Sequence, residues 1–132
     1  MNIYITYGVA NNDLEAIKKS LEKVLNIEFE LHESSYWGEY YIWRSPDFEE
    51  IRISYNYVDE DWLERNFREY PVLIHLSELK KLDEIMHTIK KELSHFKLIR
   101  KTEIIPGVKS KEYLFINDKP LLISEQELKK LF

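Results

Sequence analysis

The chain has 132 residues, the size of one domain, and its 44% hydrophobic and 14% aromatic content supplies a single core that only 3 glycines and 4 prolines interrupt. No run nears the roughly 18 to 20 apolar residues of a membrane span, and the start lacks the regions of a signal peptide; with no cysteine for a disulfide, a thiolate nucleophile or a zinc site, the expected setting is cytoplasmic. Residues 1–70 carry net −8, residues 71–132 carry net +3, and between residues 28 and 64 eleven carboxylates face only Arg44 and Arg52, a segment that repels nucleic acid and steers a basic protein toward itself.

Residues 2–7 alternate Ile3, Ile5 and Tyr7 against polar neighbours, the period of a half-buried strand. A helix follows, with Asn12 placed as its cap, Glu15 in capping-box register, an apolar stripe of Leu14, Ile17, Leu21 and Val24, and Asn26 as its stop. From Glu28 the period changes to two, and residues 28–32, 40–44 and 51–57 read as three successive antiparallel strands joined by turns at 34–38 and 45–49. Residues 59–70 admit either a short helix or a long irregular connection, with Trp62, Leu63 and Phe67 on its apolar side.

The apolar run 72–76 predicts a buried strand, and Ser77 caps a second helix carrying Leu79, Leu82, Ile85, Met86, Ile89 and Leu93 on one face. Residues 96–105 return to strand character, and after Pro106-Gly107 the segments 113–116 and 121–123 flank Asn117-Asp118-Lys119-Pro120 as a hairpin. Ser124 with Glu127 then reads as a capping box opening a terminal helix with Leu128, Leu131 and Phe132. The order β-α-β-β-β-(α)-β-α-β, then a hairpin and a helix, predicts one α+β domain over residues 1–132, with an antiparallel-rich mixed sheet, helices mainly on one face, and 106–132 as a C-terminal addition.

Catalytic and metal constellations are absent from the pattern. His32, His75, His87 and His95 form no close ligand pair, and His75 in its apolar run reads as a hydrogen-bonded strand residue. His32-Glu33-Ser34-Ser35 holds an acid, a base and hydroxyls, but neighbours on a strand point to opposite faces. Gly8, Gly38 and Gly107 are isolated, so no phosphate-cradling loop is present, and no cofactor, metal or enzymatic activity is expected. What stands out is the group Tyr36, Trp37, Tyr40, Tyr41, Trp43, Tyr55, Tyr57 and Trp62: alternate members must pack inside, and the rest lie beside carboxylates, the composition of a protein-binding surface.

The run Leu25-Asn26-Ile27, Phe29-Glu30, then His32-Glu33-Ser34-Ser35-Tyr36-Trp37-Gly38-Glu39-Tyr40-Tyr41, followed by the strand at 51–56, resembles small bacterial immunity proteins of polymorphic toxin and contact-dependent growth inhibition systems. In such proteins a stretch of the pattern E-S-x-Y-x-G-G-x-Y-Y follows the first helix; here Glu39 takes the place of the second glycine. The resemblance implies an inhibitor of a cognate toxin C-terminal domain, in keeping with the charge reading a basic nuclease occluded one to one. Glu33, Glu39, Asp59, Glu60 and Asp61 are then the expected partners of toxin Lys or Arg, and Tyr36, Trp37, Tyr40 and Trp62 the apolar anchors. The competing reading is a small-molecule-binding regulatory module whose aromatic residues line a pocket, with a hydrolase built on scattered carboxylates behind it. Neither nucleic acid nor a membrane is an expected partner, and a homodimer through a strand edge is left open.

Overall fold

The computed structural model describes residues 1–127 and shows an α+β fold, a large antiparallel sheet with two helices. Its strands are β1 (Asn2–Val9), β2 (Glu30–Ser34), β3 (Gly38–Arg44), β4 (Glu50–Tyr55), the short β5 (Tyr57–Val58) and β6 (Asp61–Trp62), β7 (Val72–Ser77), β8 (Lys97–Ile105), β9 (Lys109–Ile116) and β10 (Lys119–Glu127). Helix α1 (Leu14–Leu25) joins β1 to β2, and α2 (Leu82–Glu92) joins β7 to β8. Eight strands form one sheet in the order β10-β9-β8-β1-β7-β4-β3-β2, while β5 and β6 make a separate hairpin.

The sheet is not the mixed one expected from sequence: every pairing among the described residues is antiparallel. The two helical crossovers explain this. Each connects strands that are not neighbours, because β1 lies between β7 and β8, and β7, β4 and β3 lie between β1 and β2.

Burial follows the two-residue period. Ile5, Tyr7 and Val9 of β1, Val72, Ile74 and Leu76 of β7, and Ile51 and Ile53 of β4 form one buried cluster with Leu14, Ile17 and Leu21 of α1 and Ile89 of α2. The opposite side of the same strands is also covered. There Leu73, Ile99 and Leu114 pack with Phe67, Leu63 and Tyr70 from the connection between β4 and β7. Tyr70 lies so close over β1 that a Cβ on Gly8 would come within 2.5 Å of its ring, which reserves that position for glycine.

The connection is the β5–β6 hairpin, which the sequence did not suggest, followed by a short 3₁₀ helix of three residues at Arg65–Phe67. Asn56 organises it. Its fully buried side chain donates to the carbonyls of Phe67 (3.1 Å) and Tyr70 (2.9 Å) and accepts from the Glu64 N–H (2.8 Å). The buried Glu64 carboxylate then takes two hydrogen bonds from Arg100 of β8, at 2.8 and 2.9 Å, fastening the segment to the sheet.

Three sequence expectations shift. The cap of α1 is Asp13, whose carboxylate accepts from the Ala16 N–H, while Asn11 accepts from the Asp13 N–H; Asn26 does end the helix, in the left-handed conformation. Ser77 is the last residue of β7 and not a cap; α2 begins at Leu82 after Lys81, without a side-chain cap. Ser124 and Glu127 belong to strand β10 and open no helix, while Leu128, Leu131 and Phe132 lie outside the described residues. Pairing overrides the local capping signal there, since β9 sets Lys111 opposite Glu125 and Lys109 opposite Glu127. The hairpin forms with a tighter turn and longer strands than the sequence suggests: Lys119 and Pro120 are paired in β10, and only Asn117 and Asp118, both at positive φ, make the turn.

Replacing Asn56 by alanine takes the partner from the Tyr70 carbonyl and the Glu64 N–H, while the Phe67 carbonyl keeps the Tyr70 N–H at 3.1 Å, so Asn56→Ala is expected to lower stability by about 2 kcal/mol or more in urea unfolding. Asn56→Asp, which keeps the acceptor but loses both donors, is not expected to rescue it.

Candidate functional site

The nine residues singled out from sequence come from two segments that meet at one end of the sheet. The β2–β3 turn and the β5–β6 hairpin touch there: a Cβ built on Gly38 would stand 3.6 Å from Val58 Cγ1. The nine do not, however, share one surface. In the β2–β3 ladder Glu33 lies directly opposite Glu39 and Leu31 opposite Tyr41, and Tyr41 packs against the helix-side core; His32 pairs with Tyr40 on the other side. Of the predicted residues in this hairpin, Glu33 and Glu39 therefore point to the helix side, with Tyr41, and Tyr40 points to the other.

On the helix side, Glu39 lines a cleft of about 230 Å³ together with Asp13 and Glu15 from the start of α1, Leu31, Tyr41 and Tyr55. Asp13 and Glu15 were legible in sequence only as helix-start signals, and their place beside Glu39 depends on the crossover that sets α1 over β3 and β4. Glu15 is paired with Lys19 at 3.4 Å, while no Lys or Arg lies between Lys23 and Arg44 in the chain around Glu39.

On the other side, Trp37 folds back onto the sheet instead of projecting from it. The Arg52 guanidinium sits 4.4 Å from the centre of its ring and 5.3 Å from that of Tyr40, and Glu50 binds the same arginine at 3.1 Å. Arg52 Nε is buried without an acceptor among the described residues. Beneath this stack lies His75, edge-on to Trp37 at 5.9 Å, with Thr6 Oγ1 and Ser54 Oγ each 3.4 Å from a ring nitrogen. Burial, assisted by the positive Arg52, pushes the His75 pKa down to about 4. Among the described residues no carboxylate orients this histidine, and Ser54 is fully buried, so the trio lacks the geometry of a nucleophile with its base.

The β5–β6 hairpin presents the remaining predicted residues. The Tyr57 and Trp62 rings meet at 5.0 Å, tilted by 54°, and Arg68 lies 5.6 Å from the Trp62 ring. Asp61 is held by Arg65 through two hydrogen bonds, which with the Trp62 N–H lower its pKa. Asp59 and Glu60 form the tip and are exposed, both at positive φ (52° and 62°). A glutamate gains nothing locally from that conformation, which glycine or asparagine adopts at less cost. Exposed aromatic surface at this end comes from Tyr36 (66% exposed) and Tyr57 (52%). Tyr57 belongs to the aromatic group marked from sequence but not to the nine expected contact residues, because an alternating pattern does not say which side of a short hairpin faces water.

Among the described residues, no group of three His, Asp or Glu side chains comes together as metal ligands, and no helix is long and apolar enough to cross a membrane. Comparison with protein-family models finds no match to the chain, and comparison with curated proteins finds none either.

The depressed His75 pKa sets a pH dependence. Unfolded, the imidazole takes up its proton near 6.5; folded, it does so only near 4, so the unfolded chain binds more protons between these values. Stability present above pH 6.5 is expected to fall toward pH 4 by up to about 3 kcal/mol from this residue. Denaturant titrations at stepped pH are expected to show a shallower decline for His75→Gln than for the parent protein.

Proposed function

We propose that the protein is an immunity protein: it binds a basic toxin domain one to one and neutralises it through the acidic, aromatic end formed by the β2–β3 and β5–β6 hairpins. The observation that carries this reading is the convergence of those two hairpins, which sets the β2–β3 turn, with exposed Tyr36, against the β5–β6 hairpin, with exposed Tyr57, Asp59 and Glu60. Two further features support it, because both cost stability and neither serves packing. Glu33 faces Glu39 across an exposed strand pair, where like charges repel, and Glu60 occupies a left-handed position at a hairpin tip.

The acids steer a cationic partner and pair with its Lys or Arg side chains, and the tyrosines supply apolar area at small entropic cost. Trp37 and Tyr40 act behind this surface, holding Arg52 and the turn in place. A nuclease, whose cleft is cationic because its substrate is anionic, is the toxin class this charge fits best.

The test is capture of the partner by the tagged protein at about 0.1 M salt, where exposed charges are only partly screened. Glu39→Lys turns a repulsive cross-strand pair into an attractive one, and Glu60→Gly relieves the backbone strain, so each variant is expected to be as stable as the parent or more so, by up to about 1 kcal/mol. Each is also expected to slow association, and the double variant is expected to lose protection when co-expressed with the toxin domain. Unchanged association and protection in these well-folded variants would overturn the acidic-surface reading.

A further inference from the structure

We infer that the groove between α2 and the β8–β9 strands binds a long-chain carboxylate. The two helices share a buried cluster with β1, β7 and β4, and the sheet continues past that cover through β8, β9 and β10. Where the cover ends a groove of about 600 Å³ opens, within the usual size of a small-molecule site. Tyr7, Leu98 and Phe115 line it from the sheet, Met86 from α2, and Phe96 from the connection between α2 and β8. Phe115 is half-buried and belongs to neither core cluster, so its apolar surface awaits a partner in the groove.

The rim selects the head group. Lys90 and Lys97 line the groove, both exposed and neither in an ion pair among the described residues; His87 stands beside them, and Asp118 is the one acid of the lining. Two fixed positive charges at the border of an apolar trough match an apolar chain with a single anionic head, and they repel the cationic counterpart. Burial pushes the Tyr7 hydroxyl up to about 12, so it stays neutral and adds no negative charge to the site. This inference stands apart from the toxin-binding end, which lies on the far wing of the sheet.

The chain has only two methionines, which makes the test local. Met86 lines this groove, and Met1 lines a separate cleft with Ile3 and Leu79. In protein carrying ¹³C-methyl methionine, dodecanoate below its micellar concentration is expected to shift the Met86 signal saturably and leave Met1 in place, and dodecyltrimethylammonium is expected to move neither. Lys90→Glu combined with Lys97→Glu, both at exposed positions, is expected to weaken dodecanoate binding about tenfold or more, and added salt is expected to weaken it in the parent protein. A Met86 signal that does not move, a Met1 signal that moves with it, an equal response to the cationic amphiphile, or unaltered binding by the double variant would each overturn the assignment.

Discussion

The buried amide of Asn56 bonds at once to two carbonyls and one N–H of the connection that follows it, and the second side of the sheet depends on that closure. Strands β1 and β7 sit in the middle of eight, so their residues on both sides must leave water. Helices cover one side. The other is sealed by Phe67 and Tyr70, which reach Leu73, Ile99 and Leu114 only because Asn56 has folded the intervening chain into a compact loop. Backbone groups in such a loop would otherwise be buried unpaired, a cost comparable to a lost hydrogen bond for each. The same closure points β5 and β6 toward the β2–β3 turn, so an interior amide determines where an exterior hairpin stands.

Fold class and most strands were legible because they rest on short-range pattern. The stripe of α1 and the left-handed Asn26 are local statements, and each appears where the sequence places it; the last hairpin also appears, with a turn of two residues where the sequence suggested four. What failed to show was tertiary. The capping signal at Ser124 and Glu127 is as good locally as that of α1, but β9 offers Lys109 and Lys111 to the acids of the same segment, and the ladder wins. The polar Asn56 and Glu64 read as surface residues until their buried partners, eight to thirty-six positions away, are known.

The candidate surface was legible in composition and not in orientation. Sequence marks Trp37 and Tyr40 as aromatic residues among acids, yet nothing in their neighbourhood announces that Arg52, twelve residues beyond Tyr40, will lie across both rings and draw them onto the sheet. Nor does alternation alone tell that Glu33 and Glu39 share a side with Asp13 and Glu15; that follows from the β2–β3 register and the route of α1. Charge located the end of the molecule, and packing decided which of its side chains are free to act.

That charge could locate an end at all is a consequence of topology. The acidic half of the sequence supplies β2, β3 and β4, and the basic half supplies β8, β9 and β10; with β1 and β7 between them, these become opposite wings of one sheet. An asymmetry along the chain is thereby converted into an asymmetry in space. Six strand spacings separate β2 from β9, roughly 30 Å at the usual strand separation, several times the screening length of about 8 Å at physiological salt. The β2 and β9 edges can therefore present separate fields with little cancellation, whereas the connection between β4 and β7 is tied to the basic wing through Glu64 and Arg100. The central strands that both wings flank carry the buried packing, so the surfaces can vary without loosening the core from which they project.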